Sequence, residues 1–123
     1  MRTTKLNLGG TEYTLCFSAR VVRDCTERYG DVNKVFDAMS EGEQYQQLDE
    51  VFWLLSRLMA AGERYDRHMG LNPPPALTFD DLYDTLDIND LTGLQTAVVN
   101  SVISGQQQSV KARPKNSEAT PGK

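Results

Sequence analysis

Hydrophobic and polar positions alternate at the start of the chain, on both sides of Gly9 and Gly10. The apolar positions of this segment are Leu6, Leu8, Tyr13, Leu15 and Phe17. Period-two alternation around a two-glycine turn predicts a β-hairpin. A two-stranded sheet alone is barely stable in water, so we expect the apolar face of the hairpin to cover helices. Its open edges also offer a route to self-association between copies.

The pattern then changes to a helical period. Ser18 is a typical helix N-cap and Gly30 is typical of the position just beyond a helix. The apolar residues between them are Val21, Val22, Cys25 and Tyr29. Asp31 is placed to cap a short helix with Val32, Val35, Phe36 and Met39 on its inner side.

The longest apolar pattern lies in EGEQYQQLDEVFWLLSRLMAAGERYDRHMG and predicts the main helix. Apolar residues recur every three to four positions at Tyr45, Leu48, Phe52, Leu55 and Met59. The stripe is widened by Val51, Trp53, Leu54 and Leu58. A helix this apolar is buried on more than one side or touches a second protein. Aromatic residues in concentrated patches are frequent interface anchors, so the partner-binding candidates are Phe52, Trp53, Leu54 and Leu58, with a core tryptophan as the alternative.

The three prolines at 73–75 interrupt the helical patterns, because they lack backbone donors and favour extended chain. Thr78 then opens a helix, with Asp81 as its acidic partner. The last helix has apolar residues at Leu91, Leu94, Val98 and Val102. Beyond Gly105 the chain is rich in Gln, Ser, Lys and Pro, which predicts a disordered polar tail over 106–123. We therefore expect an α+β fold in which an N-terminal β-hairpin or small sheet packs on a mainly helical domain, residues 1–105.

Length and charge narrow the class of protein. The 123 residues suffice for one small domain, and the formal net charge of -4 argues against a nucleic-acid partner. No apolar run approaches the roughly 20 residues of a membrane span, and the N-terminus lacks the apolar region of a signal peptide. These features predict a cytosolic protein that binds neither membrane nor nucleic acid.

The residue types that carry chemistry do not form a catalytic or metal-binding pattern. Cys16 and Cys25 are not in a CxxC unit, and His68 is far from both, so we expect buried reduced thiols and no zinc. Asp80, Asp81 and Asp84 cluster at a helix start, where acidic residues are common because of the helix dipole. The segment DIND lacks the later glycine and glutamate of a calcium loop. The sequence predicts no enzyme, metal or cofactor.

Basic residues are mixed with acidic ones. Arg20, Arg23 and Arg28 on the first predicted helix lie beside Asp24 and Glu27, which is typical of a solvated face. The basic residues of the tail are Lys111, Arg113, Lys115 and Lys123. A tail of this kind is more typical of a solubilising segment than of a tether to an acidic partner.

The order of parts carries a family resemblance. The hairpin segment LNLGGTEYTLCFS is followed by ARVVRDCTERYGDVNKVFDAM, then by LDEVFWLLSRLMAAGERY and LTFDDLYDTLD. Over residues 5–104 this order resembles the tail assembly chaperones of long-tailed phages and related prophages. The most specific parts are the Gly-Gly hairpin, the ERYG helix end and the WLL…AG helix, none of which is a catalytic motif.

The resemblance implies a non-enzymatic role in virion assembly. Such proteins bind the tape measure protein, keep it soluble and help to recruit tail tube subunits. The resemblance also implies location in the host cytoplasm, absence from the mature virion, and a longer form made by programmed frameshift, with which the terminal PGK is compatible. The alternatives are a small DNA-binding or regulatory protein, and a virion tail completion or connector subunit.

Overall fold

The computed structural model describes residues 3–112, with side chains up to residue 106. Along that part of the chain lie β1 (Thr3–Leu8), β2 (Thr11–Cys16), α1 (Ala19–Tyr29), α2 (Val35–Ser40), α3 (Gln44–His68), α4 (Phe79–Thr85) and α5 (Leu91–Ala112). Short 3-10 turns at Val32–Lys34 and Ile88–Asp90 lead into α2 and α5. This arrangement confirms the predicted α+β fold, in which an N-terminal hairpin packs on helices.

The hairpin forms for the local reason that the sequence indicates. Gly9 and Gly10 both adopt positive φ, at 57° and 85°, as the two central residues of a tight hairpin turn often do. The strands pair antiparallel with Leu6 opposite Tyr13. This register places the predicted apolar residues on one face, where Leu15 is fully buried.

The helix ends are also set by local chemistry. The Val21 amide donates to the Ser18 hydroxyl, which confirms that Ser18 caps α1. Gly30 ends that helix in the left-handed region, at a φ of 85°. Thr78 and Asp81 form a reciprocal capping box at α4, with bonds of 3.0 and 3.1 Å between side chain and backbone.

Helix α3 lies at the centre of the molecule. It packs against β2, α1, α2, α4 and α5. Its fully buried or nearly fully buried apolar residues are Val51, Phe52, Leu54, Leu55, Leu58 and Met59. The stripe on α3 is therefore wide because neighbours surround the helix on several sides.

The hairpin and α3 meet backbone to backbone at Gly62. A Cβ atom on Gly62 would lie 1.8 Å from the carbonyl oxygen of Thr14, so only glycine fits at this position. Next to this contact the Thr14 hydroxyl donates to the buried Asp66 carboxylate at 2.6 Å. Lys5 donates to the same hydroxyl at 2.7 Å from the opposite strand. The chain of bonds from Lys5 through Thr14 to Asp66 fixes the hairpin on the helix.

This contact bears on the expectation that copies of the protein associate through an open edge of the hairpin. Because the Thr14 backbone lies against Gly62, β2 is covered by α3 at that point. The edge of β2 at Thr14 is therefore not open to another chain. Self-association would need a surface other than this part of β2.

The proline segment is held to α3 by Glu63. The Ala76 amide donates to the Glu63 carboxylate at 2.8 Å, and Arg67 donates to its other oxygen at 2.7 Å. The Ala76 hydrogen bond, followed by that of Arg67, holds the pKa of Glu63 below its ordinary value. The extended chain that the prolines favour therefore returns along α3 towards α4.

Two details differ from the sequence-based expectations. Tyr45, assigned to the apolar stripe, is 64% exposed because it lies in the first turn of α3. Helix α5 runs to Ala112, past the predicted boundary at residue 105. Gly105 lies within this helix and against the ring of Phe17, where a Cβ would be 2.8 Å from the ring. The rest of the predicted tail, 113–123, lies outside the described residues.

The helices of the described part of the chain include two long ones, α3 and α5. Neither these nor the shorter helices in residues 3–112 combine enough length and apolar character to cross a membrane.

We predict that Gly62→Ala lowers the free energy of unfolding by about 3 kcal/mol, because the new methyl group would overlap the Thr14 backbone, which cannot move aside without moving the hairpin. Chemical denaturation measures this change.

Gly93→Ala is the matched control. Gly93 lies in α5 with open space where its Cβ would be, so alanine there should leave stability unchanged or raise it by up to about 1 kcal/mol. Equal stability of the two variants would contradict the proposed packing of β2 on α3.

Candidate functional site

The four predicted partner-binding residues lie on different sides of α3. Phe52, Leu54 and Leu58 are at most 1% exposed and belong to the core, which corrects their assignment to a surface site. Trp53 is half-buried and reaches the surface between α1 and α3. The reason is helical geometry, since successive residues point about 100° apart and adjacent positions cannot share one exposed face.

Trp53 lines an open groove of about 350 Å³, which we call the tryptophan groove. Its lining residues are Asp24, Glu27 and Arg28 from α1, and Trp53 and Arg57 from α3. The Arg28 guanidinium carbon lies 4.6 Å from the ring centroid, and that of Arg57 lies 5.7 Å away. Both cations are close enough to be attracted by the indole ring.

Glu50 fixes one wall of the tryptophan groove. Arg28 donates two hydrogen bonds to its carboxylate, at 3.0 and 3.3 Å, and the Tyr29 hydroxyl donates a third at 2.6 Å. The Tyr29 ring meets Trp53 edge to face at 5.7 Å between centroids. The two hydrogen bonds from Arg28 to Glu50 orient the guanidinium more strongly than a single one would. Trp53 therefore lies in a pre-formed setting.

The same contacts shift two titration equilibria. Partial burial acts to lower the pKa of Arg28, but the hydrogen bond and charge of Glu50 outweigh it, and the pKa stays above its ordinary value. Burial and then Glu50 raise the pKa of Tyr29. Both residues therefore keep their protons at neutral pH.

A second open groove, of about 600 Å³, lies next to the first, and we call it the acidic groove. It is lined by Ala38, Glu41, Gly42, Tyr45, Gln46, Asp49 and Glu50. Tyr45 is the most exposed large hydrophobic residue in the described part of the chain. Asp49 accepts a hydrogen bond from Tyr83 of α4. The lining includes three carboxylates and no basic residue, so this groove favours a basic partner.

The other groups considered for chemistry lie apart from one another. His68 is exposed at the last position of α3. Asp80 and Asp81 lie in the first turn of α4, where Asp81 is occupied by the capping box. Within the described residues no group of three or more His, Cys, Asp or Glu side chains could hold a metal ion.

Two of the three arginines of α1, Arg23 and Arg28, are paired with acidic residues. Arg23 lies 3.7 Å from Glu27 and Arg28 lies 3.0 Å from Glu50. Pairing of this kind leaves no continuous basic stripe on α1 for a phosphate backbone. Of the basic tail residues, Arg113, Lys115 and Lys123 lie outside the described residues.

The sequence pattern indicates Trp53 as a partner-binding residue but does not indicate which residues surround it in the groove. Asp24 and Arg28 are four apart on α1, and Trp53 and Arg57 are four apart on α3, so each pair shares a helix face. That spacing was the available signal. The spacing along each helix does not show which faces of α1 and α3 lie opposite each other, because that depends on how the two helices pack.

Comparisons with protein-family models, with curated proteins and with solved structures find no match for this chain.

We predict that both thiols of the native protein react slowly with a thiol reagent at pH 8. Burial, followed by the charge of Asp24, raises the pKa of Cys25 to about 11, and burial also raises the pKa of Cys16. Since the thiolate is the reactive form, labelling should be at least about a hundredfold slower than in the denatured protein. Absorbance of the released reagent measures the rate, and rapid labelling of Cys25 in the native protein would contradict its burial.

Proposed function

We propose that this protein is a tail assembly chaperone of a long-tailed phage or prophage. In this role it binds the tape measure protein, keeps it soluble and helps to recruit tail tube subunits, without catalysing a reaction. The observation that carries the proposal is the order of parts, in which a Gly-Gly hairpin precedes the ERYG helix, the tryptophan-bearing helix and the LTFDDLYDTLD segment. The α+β arrangement that this resemblance implies is also the observed one.

The proposed client contact differs from the partner-binding residues that the sequence pattern predicts. Phe52, Leu54 and Leu58 are committed to the core and cannot reach a client without unfolding of α3. Tyr45 is 64% exposed in the acidic groove, beside Asp49 and Glu50. A tyrosine at the surface supplies a large apolar area at low cost in conformational entropy. We therefore place the client contact at Tyr45.

The chemistry of the acidic groove fits a particular kind of client segment. A tape measure protein is long and helical, with apolar residues along one face. A helix that carries basic residues beside that face could pack its apolar side chains on Tyr45 and pair its cations with Asp49. Several copies bound along one client would add avidity, so each contact can be weak. The net charge of -4 would then help to keep the complex in solution.

Co-expression with the neighbouring long tail gene tests the proposal. We predict that the tape measure protein is soluble with this chain and aggregates without it. Tyr45→Ala should weaken binding of a purified client segment roughly tenfold, the size expected when an interface tyrosine is truncated. Titration calorimetry measures that change.

Leu71→Ala is the matched control, because Leu71 is 59% exposed but lies beyond the far end of α3. A helix of this length places the two positions about 37 Å apart. Leu71→Ala should therefore leave client binding unchanged. Equal solubility of the tape measure protein with and without this chain would contradict the proposed function. Retention of the protein on DNA at low salt would favour the regulatory alternative.

A further inference from the structure

The tryptophan groove differs from the acidic groove in carrying both signs of charge on opposite walls. The α1 wall has Asp24 and Glu27, and the α3 wall has Arg57, with Trp53 between them. Arg28 also lies there, but its guanidinium is already held by Glu50. The free charges of the groove are thus acidic on one helix and basic on the other.

These charges are available to a partner. Among the described residues, the Arg57 guanidinium contacts the Trp53 ring and forms no ion pair, and Asp24 forms none either. The pair between Glu27 and Arg23 is 3.7 Å long, and both side chains are more than half exposed. Exposed pairs of this type contribute little and exchange readily. Arg57, Asp24 and Glu27 can therefore form new contacts without losing strong ones.

The arrangement selects among occupants. An acidic peptide would be attracted by Arg57 and repelled by Asp24 and Glu27, and a basic peptide would meet the reverse. A fitting partner must present a basic group opposite the α1 wall and an acidic group opposite the α3 wall. A second copy of this chain, turned by a two-fold rotation, presents both at once, because each contact in such an interface occurs twice.

We propose that two copies of this protein associate through the tryptophan groove in a two-fold symmetric dimer. Arg57 of each copy pairs with Asp24 and Glu27 of the other, and the two Trp53 rings become buried between them. The acidic groove remains outside this interface, since its carboxylates would repel their own copies. The proposal does not depend on the proposed function and gives self-association a surface other than the hairpin edge.

The experiment uses the full chain in sedimentation velocity over about a thousandfold range of concentration. Trp53 is the sole tryptophan, so its fluorescence reports directly on the groove. The dimer fraction should rise with concentration, and the Trp53 emission should shift to shorter wavelength as water leaves the ring.

Charge reversal then tests the pairing. Arg57→Glu and Asp24→Arg should each raise the dissociation constant at least about tenfold. Each substitution replaces an attraction by a repulsion, and it does so at both symmetric contacts of the dimer. Lys34→Glu, which makes the same change of charge as Arg57→Glu at an exposed site outside the groove, should have no such effect. Circular dichroism and thermal melting check that each variant is folded.

Mixing the two variants gives the decisive readout. In a mixed dimer, the glutamate introduced by Arg57→Glu in one copy faces the arginine introduced by Asp24→Arg in the other. At the second contact the native Arg57 faces the native Asp24 and Glu27, so each contact again joins opposite charges, and a single repulsion remains between the introduced glutamate and Glu27 of the other copy. A mixture of Arg57→Glu and Asp24→Arg should therefore form dimers that neither variant forms alone. A native protein that stays monomeric at every concentration, or a mixture that stays monomeric, would overturn the proposal.

Discussion

The backbone contact between Thr14 and Gly62 is the constraint on which the rest of the structure depends. A side chain at Gly62 would hold β2 away from α3, and the Thr14 hydroxyl could then not reach Asp66. With the contact made, Leu15 joins the core and the hairpin closes one side of the central helix. A two-stranded sheet gains by this packing the stability that it lacks alone. The hydrogen bonds from Lys5 to Thr14 and from Thr14 to Asp66 fix the position of the hairpin along α3, which hydrophobic packing alone would not do.

Enclosure of α3 also determines which surfaces are left for partners. The hairpin and helices take up most faces of α3, so only side chains between these neighbours, such as Trp53, reach solvent. Glu50 lies at the junction of the two grooves, where it anchors Arg28 in one and adds negative charge to the other. One buried framework therefore supports two neighbouring surfaces of different charge. The mixed-charge surface is the one that we propose for a second copy, and the acidic surface is the one that we propose for a basic helical client.

The features that the sequence predicted correctly are those with local causes. A two-glycine turn fixes the hairpin, and a hydroxyl at Ser18 or Thr78 begins a helix wherever the chain lies. The features that were missed depend on contacts between distant residues. Gly62 lies in the middle of the long helical pattern, and nothing in its neighbourhood along the chain indicates the approach of Thr14. The end of α5 is a further example, since composition indicates disorder after Gly105, whereas the helix packs against Phe17 at Gly105 and ends at Ala112.

The candidate site shows the same difference between features with local causes and features that depend on contacts between distant residues. Periodicity identified an unusually apolar helix but assigned Phe52 and Trp53 to a single surface, although one is in the core and the other is at the surface. The stripe width could not distinguish a partner outside the molecule from neighbours within it. Arg28 was assigned to a solvated face, and only the packing of α1 on α3 brings it over the indole ring.

The central proposal is that this protein binds the tape measure protein during assembly of a phage tail and is absent from the finished particle. Quantitative mass spectrometry of infected or induced cells tests this most directly, by comparing tape measure complexes isolated before tail completion with purified particles. We predict that the chain is abundant in the complexes and absent from the particles. A fixed number of copies in every finished particle would contradict it and identify a structural tail subunit instead.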